Sequence, residues 1–201
     1  MNTEVVERHP AIFHLPPVID TRRGTGGMML VIVSEASMFL ILFVSYWFLS
    51  NGDLRWPSQE PPKLGLALLM LLVLGSSSVI LSWGERQIQH ARQRAARWAG
   101  VLAAALGSMF LVLQAFEYRD HLKTLTPRTN AYGSLFYTIT AIHGLHVLTG
   151  ILLLIYVLLL PDLDPAKPPH RPYYNASMFW HFVDVVWIFI VAILYVVPHL
   201  R

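Results

Sequence analysis

Five predominantly apolar runs, at residues 28–50, 64–83, 98–118, 132–160 and 177–197, leave this 201-residue chain room for little besides membrane helices. At a rise of about 1.5 Å per residue each run can cross a hydrocarbon core of about 30 Å. The run at 132–160 exceeds that need and is expected to tilt or protrude. Lipid offers no hydrogen-bonding partners to the backbone, so each run must satisfy its N–H and C=O groups internally. The pattern therefore predicts an all-α integral membrane bundle of five transmembrane helices. Residues 1–27 read as a polar tail and 28–201 as one membrane domain. Glu4, Glu7 and Asp20 in the tail do not suit a cleavable signal peptide, which is basic and then apolar.

Composition narrows the chemistry. Hydrophobic residues make up 55% of the chain and charged residues 13%. Cysteine is absent, which removes disulfides, thiolate metal sites and thiol nucleophiles together. The basic residues lie between the apolar runs, so the net charge of +3 speaks for membrane orientation and not for nucleic acid. Nine Lys and Arg fall on the side of the N-terminal tail and six on the other, which predicts a cytoplasmic N-terminus and a C-terminus outside. No phosphate loop, Gly-rich dinucleotide turn or Ser/His/Asp arrangement is present.

The connections have distinct characters. Residues 84–97, with four Arg, read as a short polar turn or a helical extension at the surface. Residues 161–172, with five Pro, read as a stiff extended loop. In the third run, small residues recur at Gly100, Ala104 and Ser108 and at Ala103 and Gly107, a spacing that lets helix backbones approach closely in lipid. Trp83, Trp98 and Tyr132, near the run ends, read as an interfacial belt.

An ionisable side chain inside a span costs roughly 2.5–3.5 kcal/mol and so calls for a reason. Glu35 lies in the first run, Glu117 at the end of the third, His143 and His146 in the fourth, and His181 and Asp184 in the fifth. His181 and Asp184 share a helical face with Trp180 and Trp187. Glu35 and Asp184 are expected about 10 Å along their helices, with the two histidines of the fourth run deeper. Glu117 is expected at the outer surface, where its carboxylate can face water.

The two His-x-x-His/Asp spacings admit a metal site built from facing helices, as in carboxylate bundles. They equally admit a buried polar network that ties the helices together, which any polar interior face in lipid requires. A proton-coupled transporter around Glu35 and Asp184 is a third reading, but the repeat symmetry and interrupted helices of transporters are not evident.

Two motifs carry a resemblance. Phe-Trp-His-Phe-Val-Asp-Val-Val-Trp-Ile-Phe at 179–189 and Ile-His-Gly-Leu-His-Val-Leu-Thr-Gly at 142–150 resemble the last two helix signatures of subunit III of the heme-copper oxidases. Ser-Glu-Ala-Ser-Met-Phe at 34–39, Leu-Gly-Ser-Ser-Ser-Val at 74–79 and Gln-Ala-Phe-Glu-Tyr at 114–118 follow the same order. The resemblance to the cytochrome c oxidase subunit III family, in its five-helix bacterial form, spans all five runs.

It implies an accessory, non-catalytic subunit in the bacterial plasma membrane that stabilises subunit I and supports its proton uptake and dioxygen access. Subunits II and IV and membrane lipids complete the expected company, with no nucleic acid. No heme, copper or other cofactor is implied in the chain itself. Heme and copper belong to partner subunits, and bound phospholipid is expected. Glu35 then corresponds to the family's intramembrane, carbodiimide-reactive glutamate. His143, His146, His181 and Asp184 fall in its buried polar network, and Glu117, Trp180 and Trp187 are candidates for interface or lipid contact. Quinol oxidases and nitric oxide reductase systems share the motifs and remain alternative homes.

Overall fold

The structure, a computed structural model, describes residues 21–52, 56, 63–160 and 171–200. Among these, every regular element is helical: α1 (Thr21–Gly52), α2 (Leu64–Gln89), α3 (Gln93–His121), α4 (Ala131–Leu159) and α5 (Arg171–Ile190). A π-helical turn (Val191–Val196) and a last turn, α6 (Val197–Leu200), continue α5. Five helices are long and apolar enough to span a membrane, as the five runs predict. Most of the polar tail and most of the Pro-rich loop lie outside the described residues. Pro172 opens α5 in its first turn, where proline costs no helical hydrogen bond.

The helices outrun the apolar segments. α2 and α3 each extend into 84–97, so the polar stretch shrinks to a turn at His90, Ala91 and Arg92. That turn is a Schellman closure: Arg92 N–H donates to Gln87 O and Ala91 N–H to Ile88 O, both at 2.9 Å. Ala91 takes the left-handed conformation, with φ of 57°, at a place where glycine is usual. Two further ends, both on α4, are capped by side chains. Asn130 Oδ1 accepts from Gly133 N–H at 2.7 Å to start α4. Arg97 reaches from α3 to donate to Leu160 O, at 2.9 Å, where α4 ends.

Helices α2, α3, α4 and α5 pack in a ring, α2 on α3, α3 on α4, α4 on α5 and α5 back on α2, and α1 lies outside it against α5 and α4. The sequence explains the close approach. Trp180 of α5 fills the centre of the ring at 1% exposure and is accepted there by two glycines. A Cβ at Gly150 would lie 2.8 Å from the indole Cε3, and one at Gly107 would collide with its far edge. Its Nε1 donates to Ser77 Oγ of α2 at 2.8 Å, so one side chain touches the three other helices of the ring.

Of the two small-residue rows on α3, Ala103 and Gly107 pack inside, whereas Ser108 is exposed and turns its hydroxyl back to Ala104 O. Burial on α1 falls on a narrow stripe. Phe39, Tyr46 and Ser50 are buried, and Met28, Glu35, Met38 and Leu42 are half-buried. That spacing is the seam of a helix with one contact face.

Candidate functional site

Glu35 and His146 meet. The Glu35 Oε2 lies 3.1 Å from His146 Nε2, across the seam between α1 and α4. His146 Nδ1 is 2.8 Å from Ile142 O, so it carries hydrogen and donates to that carbonyl. In the neutral ring Nε2 is then an acceptor, and the contact with Glu35 needs one proton between them. A carboxylic acid facing imidazole and a carboxylate facing imidazolium both satisfy it, and both are neutral overall. A pair that is neutral in either form avoids the cost of a net charge at membrane depth. Phe39 and Phe179 flank the imidazole, with ring centroids at 5.1 and 6.2 Å.

Because α1 and α5 start earlier than their apolar runs, Glu35 and Asp184 sit about 20 Å along their helices instead of about 10 Å. The contact at 3.1 Å puts Glu35 level with His146 in the middle of α4.

His181 joins a serine ladder on α2 that the run at 74–79 only hinted at, and Asp184 lies a turn further along α5. His181 Nδ1 lies 2.9 Å from Ser78 Oγ, whereas Asp184 Oδ1 is buried with no hydrogen-bond partner among the described residues. His181 Nε2 lies 3.3 Å from each of the Ser82 and Ser177 hydroxyl oxygens. Hydroxyls both donate and accept, so the serines on the two sides of the ring can satisfy His181 in either tautomer. This polar chain stitches α2 to α5.

His143 does not join either group. It is fully buried, its ring stacked on Trp187 at 5.0 Å and meeting the edge of Phe110 at 5.5 Å. Neither ring nitrogen has a hydrogen-bond partner among the described residues. The four residues of the metal reading are thus divided among three environments. Among the described residues, no three His, Asp or Glu gather as a ligand set.

Three expected surface groups are interior. Glu117 is 2% exposed, and both its oxygens lie 3.0 Å from the Tyr195 hydroxyl, on the π turn after α5. It is drawn inside because α3 continues to His121, so Glu117 is a full turn short of the helix end. Trp180 and Trp187, at 1% and 0% exposure, are core residues with no surface for lipid or another subunit. Tyr132 is likewise buried, against Trp56 and Phe136, and only Trp83 and Trp98 of the expected belt are exposed.

Sequence reasoning missed Gln114 and Thr140. Gln114 Nε2 donates to Thr140 O at 2.6 Å and packs where a Cβ on Gly144 would stand, and Tyr118 OH lies 2.7 Å from Thr140 Oγ1. A glutamine inside an apolar run was the available signal.

Comparison with known proteins places this architecture. Residues 17–198 match the family described as cytochrome c oxidase subunit III. Cytochrome c oxidase subunit 3 of Synechocystis is 35% identical over 175 residues, covering 84% of this chain and 73% of that protein. Its counterpart in Thermostichus vulcanus is 34% identical over 180 residues, covering 85% of each. That of Xenopus laevis is 34% identical over 193 residues, covering 90% of this chain and 72% of its own. The glutamate and histidine that pair across α1 and α4, and the polar chain that joins α2 to α5, therefore belong to a member of the cytochrome c oxidase subunit III family.

Proposed function

We propose that, as subunit III of a respiratory terminal oxidase of the cytochrome c oxidase type, this chain acts as an accessory, non-catalytic subunit that stabilises subunit I and supports its proton uptake and dioxygen access. One observation carries the accessory role. Only 6% of the most apolar stretch of α1 is buried inside the chain, against 33–44% for the other four spans. The bundle leaves one of its helices almost bare, with Leu40, Ile41, Trp47 and Phe48 all more than 60% exposed. The Glu35–His146 pair lies on the inner stripe of that helix and holds it to the ring.

A helix so weakly covered by its own chain suits a partner that completes its packing, which makes α1 the face for subunit I. Heme and copper then reside in partner subunits, with subunits II and IV completing the complex and phospholipid filling the remaining surface. The charge asymmetry supports a bacterial plasma membrane orientation with the N-terminus in the cytoplasm.

The experiment is gentle solubilisation followed by purification through a tag on this chain. The proposal expects a heme-copper subunit I to travel with it, visible by mass spectrometry and by heme absorbance. Migration alone, or with an unrelated transporter, refutes it.

A further inference from the structure

The pocket of about 330 Å³ where α2 begins and α3 ends leads inward to a carboxyl group. Glu117 is 2% exposed, yet it lines this pocket together with Leu66 and Phe116. Charge holds water at the mouth. Asp120 there binds Lys63 Nζ at 2.9 Å and Lys123 Nζ at 3.1 Å, and the hydrogens that each ammonium keeps, with those of Arg119, call for solvent. None of these cations reaches Glu117, which makes no ion pair among the described residues.

Its partner is a phenol. Both carboxyl oxygens lie 3.0 Å from the hydroxyl of Tyr195, a fully buried residue on the π-helical turn. A carboxylate has to share the one phenolic hydrogen between the two contacts. A carboxylic acid brings a second hydrogen, so Tyr195 can donate to one oxygen and accept from the other. The other groups that feel Glu117 are Tyr118 of α3 and Tyr132 and Tyr137 of α4, none of them a cation. His121, also on the pocket wall, stacks on Phe136 at 5.4 Å, and His199 Nδ1 donates to the Tyr195 carbonyl at 2.6 Å. A charge buried among phenols without a counter-ion is costly, and the pocket supplies the route by which a proton removes it.

We propose that Glu117 is a reversible proton-binding site, loaded from the aqueous surface through this pocket, whose proton completes the contact with Tyr195 and so steadies the π-helical turn. Such turns recur at functional sites in helices. The site depends on the chain spanning a membrane and not on which oxidase it serves, so its failure would leave the co-purification test untouched.

The test is infrared difference spectroscopy of the full chain, with whatever subunits travel with it, in lipid bilayers titrated from acid to alkaline pH. A protonated carboxylic acid gives a carbonyl stretch that a carboxylate lacks and that shifts in deuterated water. Glu35 and Asp184 can contribute bands of their own, so the component lost in Glu117→Gln is the one followed. It should be present at acid pH, fall away reversibly as pH rises, and shift on transfer to deuterated water. Tyr195→Phe should move the band by removing its hydrogen-bond partner. Leu66→Trp, which fills the pocket, should slow the deuterium shift severalfold.

No component lost in Glu117→Gln, a component that ignores pH, or deuterium entry at the wild-type rate in Leu66→Trp overturns the proposal. Circular dichroism checks the fold of each variant. Should Glu117→Gln fail to fold, a band unmoved by Tyr195→Phe overturns it as well.

Discussion

Gly150→Ala puts the close packing around Trp180 to a direct test. The added Cβ would lie 2.8 Å from Cε3 and 3.1 Å from Cζ3 of the indole. Ordinary carbon contacts begin at about 3.5 Å, so α4 and the ring must separate by roughly 0.7 Å. The indole has nowhere to retreat, because Gly107 closes its far edge and Ser77 Oγ holds Nε1 at 2.8 Å. Overpacking of this kind costs about 1–3 kcal/mol.

The assay is thermal unfolding of the purified membrane complex, read by fluorescence, for wild type, Gly150→Ala, Trp180→Phe and the double variant. The smaller phenyl ring makes room for the new methyl group. The second substitution should therefore restore part of the loss, with a coupling of about 1 kcal/mol or more. Losses that simply add, or a neutral Gly150→Ala, would show that the indole does not lock these helices.

Further expectations follow from the polar pairs and the turn. Glu35→Gln can donate an amide hydrogen to His146 Nε2 and should be tolerated, whereas Glu35→Ala leaves that nitrogen unpaired and should cost about 1–3 kcal/mol in thermal stability. Similar losses for both would place the importance in the carboxyl group itself. Asp184→Asn keeps hydrogen-bonding capacity that a methyl group lacks and should assemble better than Asp184→Ala, measured as subunit stoichiometry after purification. Equal failure would point to the charge. Ala91→Gly relieves the left-handed strain at φ of 57° and should stabilise the α2–α3 turn by about 0.5–1 kcal/mol, and an unchanged melting temperature would argue against strain there.

The spans were legible because their physics is one-dimensional: length and apolarity decide them. Their ends were not. The turn at Ala91 carries no glycine, so nothing in the string of arginines from 84 to 97 marked where α2 stops and α3 starts. The polar residues were legible as a set but not in their pairing. Position along a helix suggested that His143 and His146 act together, yet one faces Trp187 and the other Glu35, because residues three apart still differ by about 60° around the axis.

Burial was hardest to read. Glu117 and Tyr132 sit near run ends, which suggests the interface, but both turn inward toward aromatic neighbours. Trp180 shared a face with Asp184 in sequence, and only the positions of Gly107 and Gly150 on two other helices reveal that its place is the middle of the ring.

In the proposed role, α1 is held to the bundle by Glu35 and His146 and presents its outer face to the catalytic subunit. A photo-crosslinking residue, benzoylphenylalanine, placed at Leu40 tests it, since that side chain is 62% exposed and points away from the ring. Illumination of intact membranes should join this chain to heme-copper subunit I, while the same probe at Leu152 on α4 serves as the comparison for a lipid-facing position. Adducts to lipid alone from Leu40 would contradict the account.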